Sequence, residues 1–291
     1  GGNVIILEVI AALKAAGVSD QMQITVFLTG DEERSGRPLE LARKEFIEAA
    51  VAADYALGFE DGDGYPKTAV IARRGSSGWT LSTTGTPAHS SQVFSDEVGD
   101  GAIYELARIL NEFREELGDE DLLTFNPGMI VGGTEASIDA STSTGNAYGK
   151  NNVVAATATA TGDLRAITPD QLERARKRMQ EIVDDSLPGT DASIEFRDGY
   201  PPLAPTDGNV RLLEIYDGAS RDLGFGKVDF VDPARAGAAD VSFCSGRIEG
   251  ALCGLGLMGT GGHTLEETAD LRTLSSQSQR AALLIWRLCQ R

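Results

Sequence analysis

The feature that most constrains this 291-residue chain is a change of hydrophobic texture that happens twice along its length. At the start, Ile6, Val9, Ile10 and Leu13 share one helical face, and Gly17 supplies a stop. Residues 23–28 are β-branched and apolar enough for a buried strand, 38–50 have helical spacing, and 55–59 form a second short strand. Strand and helix in alternation predict an α/β layer around a central, mostly parallel sheet. The same texture returns after residue 198, with a helix over 209–223, strands over 228–231 and 251–255, and a closing helix over 274–288.

Between these parts the pattern is different. Residues 67–74 and the alternation of Trp79, Leu81 and Thr83 read as a sheet with one exposed face. A long helix follows, with Ile103, Leu106, Leu110, Phe113 and Leu117 at helical spacing. Strands are expected over 122–125, 129–131 and, after a glycine- and serine-rich loop, 153–164. Thr168-Pro169-Asp170-Gln171 is a capping box that opens a helix, and 192–196 closes the segment as a strand. Residues 68–197 therefore read as an inserted α+β domain, and 1–67 with 198–291 as the α/β domain that it interrupts. Asp-Gly-Tyr-Pro occurs at both crossings, at 63–66 and 198–201, and two turn-forming crossings make a natural hinge.

Charge excludes some functions. Twenty-six basic against 44 acidic residues give −18, which repels phosphate backbones and anionic headgroups, so neither nucleic acid nor a membrane surface is an expected partner. No apolar run reaches the ~18 residues a membrane span needs. Cys244, Cys253 and Cys289 have no C-x-x-C spacing and are expected as core thiols.

In an open α/β sheet the ligand crevice lies beyond the carboxyl ends of the strands. Three such ends carry metal-competent side chains: Asp31-Glu32-Glu33 after 23–28, Glu60-Asp61 after 55–59, and Gly259-Thr260-Gly261-Gly262-His263 after 251–255. Any one of these is commonly a solvated turn. Two carboxylates and an imidazole at one sheet edge suit Zn²⁺.

Thr-Gly-Asp-Glu-Glu-Arg-Ser-Gly at 29–36, Ala-Asp-Tyr-Ala-Leu-Gly-Phe-Glu at 53–60, Gly-Thr-Gly-Gly-His-Thr at 259–264, and Asn152 with Asp163-Leu164-Arg165 resemble a family. It is that of the zinc-dependent exopeptidases and deacylases, among them glutamate carboxypeptidase, acetylornithine deacetylase, succinyl-diaminopimelate desuccinylase and aminoacylase. The resemblance implies a zinc-exopeptidase-like catalytic domain interrupted by a ferredoxin-like lid and dimerisation domain. It implies two zinc ions, or cobalt or manganese in their place, and a small peptide or N-acyl amino acid with a free carboxylate as substrate.

Carried over, Glu32 is the general base, Glu33 and His263 ligate one metal, and Glu60 ligates the other. His89, in a loop of the inserted domain, reaches the partner's site in a homodimer to steady the oxyanion. Arg165 holds the substrate carboxylate, Asn152 contacts substrate, and Gly261 offers it backbone. Asp240 lies in a stretch resembling the family's G-G-x-S/T-D but without its hydroxyl residue, and it reads equally as a helix cap.

The resemblance also implies an upstream H-x-D motif and a metal-bridging aspartate. Gly1-Gly2 looks like the tail of the D-M-K-G-G-type motif that carries that aspartate. The chain opens without Met or a leader pattern, so upstream sequence is expected to be missing and metal binding to be weak or single. The competing expectation is a catalytically incomplete chain that serves as a binding or dimerisation module. A nucleotide-cofactor enzyme finds no support, because no glycine-rich phosphate loop sits between a strand and a helix.

Overall fold

The computed structural model describes residues 1–290. The chain divides into two compact units, one formed by Gly1–Gly75 with Tyr200–Arg291 and the other by Ser76–Gly199.

The first unit is α/β. Helix Gly2–Ala15 buries Ile5, Val9 and Leu13, a strict i, i+4 stripe packed with Ala281 and Ile285 of the closing helix Arg272–Leu288 and with Phe59 and Leu257. The buried stripe is thus shifted from the expected face: Ile5 replaces Ile6 as its first member, and Ile10 is exposed. Strand Tyr55–Leu57 runs parallel to Gly250–Leu252, and Thr68–Ala69 runs parallel to Asp229–Phe230. Helix Asp207–Asp222 is capped by Thr206, whose hydroxyl accepts from the Asn209 N–H. The buried Asn209 amide then donates to Ile71 O at 2.8 Å and to Ala204 O at 3.1 Å, and accepts from the Ala251 N–H at 2.8 Å. One side chain therefore satisfies three main-chain groups around the Val70, Val231, Val241, Ala251 and Cys253 core.

Several expectations for this unit need correction. Residues 23–28 are not a buried strand: among the described residues no strand pairs with them, and Val26 and Leu28 are 43% and 61% exposed. The apolar run marks a capacity for burial, but nothing on its free side meets it. It borders a cavity of about 500 Å³ also lined by Val9, Phe46, Tyr55 and Ile285. The helix expected over 38–50 is two, Leu39–Ala42 and Lys44–Val51, broken at Arg43. Of 67–74 only Thr68–Ala69 is strand, and it belongs to this unit. Cys244 and Cys253 are buried, whereas Cys289 is exposed at the end of the last helix.

The second unit is a four-stranded antiparallel sheet in the order Thr124–Gly133, Thr157–Arg165, Ser77–Gly85, Thr190–Arg197. With helices Ala102–Leu117 and Pro169–Asp184 between strands, the chain order is β-α-β-β-α-β, the ferredoxin-like arrangement. The helices bury Leu106, Ile109, Phe113, Met179 and Ile182 against Trp79, Leu81, Ala160 and Leu164 of the sheet. Trp79 and Phe113 meet edge to face at 6.3 Å. Gly162 is required opposite Trp79, since a Cβ there would lie 2.4 Å from the indole.

Thr168 caps the second helix through the Gln171 N–H. Gln171 Oε1 takes the Ile167 N–H at 2.8 Å, so the reciprocal bond falls one residue upstream of the expected box. The two strands expected at 122–125 and 129–131 are one, with a bulge at Pro127/Met129. The glycine- and serine-rich loop contains a hairpin, Glu135–Asp139 with Thr144–Tyr148.

The unpaired state of 23–28 is measurable. Hydrogen exchange followed by mass spectrometry is expected to label the amides of 23–28 at least ~100-fold faster than those of 79–83, which are paired on both sides. Equal protection would show a sheet partner for 23–28.

Candidate active site

All the acidic candidates and His263 lie in the first unit. Glu32 and Glu33 follow the extended segment 23–28, and Glu60 follows strand Tyr55–Leu57. His263 is carried by a loop closed by the short antiparallel pair Gly259–Thr260 and Thr268–Ala269. The fold brings His263 Nδ1 to 3.5 Å from Glu33 Oε2 although the two are far apart in sequence, and both side chains are largely exposed. His263 has φ +63°, a left-handed conformation uncommon for a side-chain-bearing residue.

Gly261, also left-handed at +74°, could not carry a Cβ, which would lie 2.7 Å from the Glu266 carbonyl. Its own carbonyl accepts from the Thr264 N–H at 3.1 Å and hydroxyl at 2.6 Å. Gly261 shapes the loop that holds His263, and its carbonyl is already engaged.

Glu60 is half-buried, with Oε2 3.7 Å from Nη2 of the buried Arg73. Burial pushes its carboxyl up to about 7; Arg73 opposes this, while Glu32, Asp240 and Asp61 reinforce it. Glu32 is also raised, chiefly by burial and then by the Asp240 and Glu33 carboxylates, with His263 and Arg43 pulling the other way. These mutual effects place Glu32, Glu33, Glu60, Asp240 and His263 in one electrostatic neighbourhood.

Below the acidic loop lies Arg43, fully buried. Its Nε donates to Asp240 Oδ1 and its Nη1 to Asp31 Oδ1, both at 2.7 Å. Its Nη2 reaches Ser35 Oγ at 3.0 Å and Tyr200 OH at 2.9 Å. Asp31 Oδ2 takes the Gly36 N–H at 2.9 Å, and that bond foremost, with Arg43 adding to it, holds the carboxyl below its usual range against the opposing effect of burial. Asp240 does not cap a helix: it is the first residue of a short 3-10 turn, one oxygen on Arg43 and the other, Oδ2, buried without a hydrogen-bond partner.

Neither Arg43, Arg73 nor Tyr200 was expected from sequence. A signal was present for Arg43, a cation on the same side of its helical pattern as Leu39 and Ala50, both buried.

The remaining candidates belong to the second unit. His89 is exposed and precedes the short turn Ser90–Gln92; its Nδ1 lies 2.9 Å from Ser91 Oγ and accepts from the Ser91 N–H. The Ser90 N–H donates to Asn152 O at 2.9 Å, so the His89 and Asn152 loops are neighbours. Arg165 ends its strand with Nε on Asp163 Oδ2 at 2.9 Å.

Two metal ions do not fit the residues present. Among the described residues no group of three or more His, Cys, Asp and Glu side chains is arranged to hold a metal. Glu33 and His263 offer two donors, and Glu60 faces Arg73.

Residues 71–191 match the peptidase dimerisation domain. That span covers the four-stranded unit nearly whole and begins five residues ahead of it. No curated protein matches the chain. Among solved structures, the aminopeptidase PepT of Bacillus cereus is similar over 99% of this chain and 70% of its own, with TM-score 0.71 at 17% identity. A tripeptidase of Staphylococcus aureus matches over 86% of this chain and 63% of its own (TM-score 0.57, 16% identity). The Bacillus subtilis YxeP protein, described as a dinuclear metal-binding peptidase, matches over 85% and 61% (TM-score 0.57, 15% identity). The chain thus spans less than two thirds of the latter two, and at these identities the likeness is one of fold. The fold is that of an α/β domain interrupted by an inserted dimerisation-type domain.

Two measurements follow. Elemental analysis of the chain after dialysis is expected to give fewer than two zinc ions per chain; two tightly held ions would show donors beyond Glu33 and His263. With chelator present, the raised Glu60 pKa has a stability consequence. The folded carboxyl keeps its proton to about 7, whereas the unfolded one loses it near 4.5. Stability therefore falls as pH rises across that window. The slope of melting temperature against pH between these values is expected to flatten in Glu60→Gln, and an unchanged slope would refute the assignment.

Proposed function

We propose that this chain serves a metal-dependent hydrolase that cleaves an amide bond in a peptide or N-acyl amino acid with a free carboxylate. Its further metal donors would come from polypeptide outside these 291 residues. The observation that carries the reading is the Glu33–His263 pair at 3.5 Å, with Glu32 in its electrostatic neighbourhood and Glu60 in that of Glu32. Support comes from a fold similar to that of an aminopeptidase along almost the whole chain.

In this reading Glu32 is the general base. Its carboxyl is raised by burial and by like charges, which improves it as a proton acceptor and lets it return the proton to the leaving amine. Glu33 and His263 mark a cation position, with zinc, cobalt or manganese as the candidate ions. Arg165 would receive the substrate carboxylate, for which a guanidinium fork is well shaped, exchanging Asp163 for it. Asn152 lies on the loop beside His89. The dimerisation-type domain supports a homodimer in which His89 serves the partner's site.

The lack of a three-donor cluster among the described residues favours a second reading, a binding or dimerisation module without turnover.

One experiment separates them. The protein is assayed on dipeptides, tripeptides and N-acyl amino acids with Zn²⁺, Co²⁺ or Mn²⁺ added, with and without chelator. Metal-dependent amide cleavage that falls ~10²–10⁴-fold in Glu32→Gln is the expected result. Cleavage indifferent to both chelator and Glu32→Gln would end the hydrolase reading, and no cleavage with any metal would favour the module.

A further inference from the structure

The Glu32 main-chain carbonyl is the meeting point of two hydroxyls. Ser35 Oγ lies 3.2 Å from it and Tyr200 OH 3.3 Å, and the two hydroxyls are 2.7 Å apart. Arg43 Nη2 donates to both oxygens. A guanidinium has no acceptor, so neither hydroxyl can aim its proton back at it. Two hydroxyl protons then serve three contacts. At most one lies between the hydroxyls, so at least one goes to the Glu32 carbonyl, whichever hydroxyl supplies it. The charge of Arg43 is thereby relayed as a hydrogen bond onto the peptide of Glu32.

The same guanidinium fixes the loop at its other end. It pairs with Asp31, whose second oxygen takes the Gly36 N–H, closing the turn 31–36 upon itself. Asp240 anchors the guanidinium from a distant part of the chain, and Phe243 packs edge-on against Tyr200 at 5.2 Å. None of these described bonds goes to the carboxylate of Glu32 or Glu33.

We propose that Arg43 and Tyr200 are positioning residues: through Ser35 and Asp31 they fix the backbone that carries Glu32 and Glu33 and so aim both carboxylates. Tyr200 is also the first residue of the α/β unit after the chain leaves the inserted one at Gly199. The residue that steadies the Glu32 peptide is therefore joined directly to the return crossing. The catalytic part of this inference rests on the reading of Glu32 as base, and the structural part does not.

The test uses the double variant Ser35→Ala/Tyr200→Phe, which removes both proton donors to the Glu32 carbonyl and leaves the Arg43 pairs with Asp31 and Asp240 in place. Arg43→Lys is the second variant, retaining the charge without the fork. Backbone ¹⁵N order parameters at Glu32 and Glu33 are expected to fall from about 0.85 to below about 0.6 in the double variant. The amide of Leu252, in the paired strand, serves as the control and should not change. Turnover of the metal-supplemented protein is expected to drop about tenfold in kcat, with KM within twofold, the division expected when alignment rather than binding is lost.

Unchanged order parameters in both variants would overturn the proposal, and so would loosened amides with unaltered kcat. A protein without turnover would remove the hydrolase reading, while the order parameters would still decide whether Arg43 and Tyr200 hold this loop.

Discussion

A guanidinium with 1% of its side chain exposed is expensive to bury, and Arg43 is tolerated because nearly every direction of its fork is answered. Two carboxylates offset its charge, two hydroxyls accept from its Nη2, and the rings of Tyr200 and Phe243 stand about 6 Å from its carbon. The groups that answer it come from the loop 31–36, the return of the chain at 200 and the turn at 240. Each is irregular backbone, with little ladder hydrogen bonding of its own. The ion cluster therefore does for this part of the unit what a sheet does elsewhere. Arg43 also stands at the break between Leu39–Ala42 and Lys44–Val51.

The inserted unit is held by different means. Its sheet has every strand paired antiparallel, its buried faces alternate with period two, and its helices bring stripes at i, i+3 and i+4. Glu105 is the buried carboxylate of this core. It binds Arg108 through both oxygens and accepts the Leu187 N–H, tying helix Ala102–Leu117 to the turn before the last strand. Such an arrangement depends on short-range pattern, so sequence periodicity describes it well.

That contrast explains what was legible in the sequence. The helix over Ala102–Leu117, the capped helix from Pro169 and the alternation through Trp79 and Leu81 follow from local spacing, and each is found in place. The hairpin at 135–148 escaped because serine, threonine and glycine carry no apolar period, while its turn is held by Asp139, which accepts from the Ser141 N–H and hydroxyl. Residues 23–28 erred in the opposite direction: the pattern had the right chemistry for a strand, but pairing depends on a neighbour that local pattern does not specify. At the candidate site, the motifs at 29–36, 53–60 and 259–264 pointed to Glu33 and His263, which do meet. The nearby Arg43, Arg73 and Tyr200 were hidden because a buried arginine is defined by partners tens to hundreds of residues away, as Arg43 is by Asp240.

The acidic edge has a physical tension of its own. Asp240 raises the proton affinity of both Glu32 and Glu60, Glu32 raises that of Glu60, and Asp240 keeps a buried oxygen with no hydrogen bond. Carboxylates gathered this way are unfavourable unless positive charge answers them, and Arg43 pairs with Asp240 and Arg73 with Glu60. Both are committed to structural partners: Arg43 to the loop and Asp240, Arg73 to the Gly237 carbonyl and Cys253. The outer side of the cluster is where Glu33 and His263 stand exposed. Negative charge that the fold collects and only half neutralises is the electrostatic condition for attracting a cation from solution. In the proposed reading Glu33 and His263 give such an ion a place to arrive, whereas a closed coordination shell would need more donors than the described residues bring together.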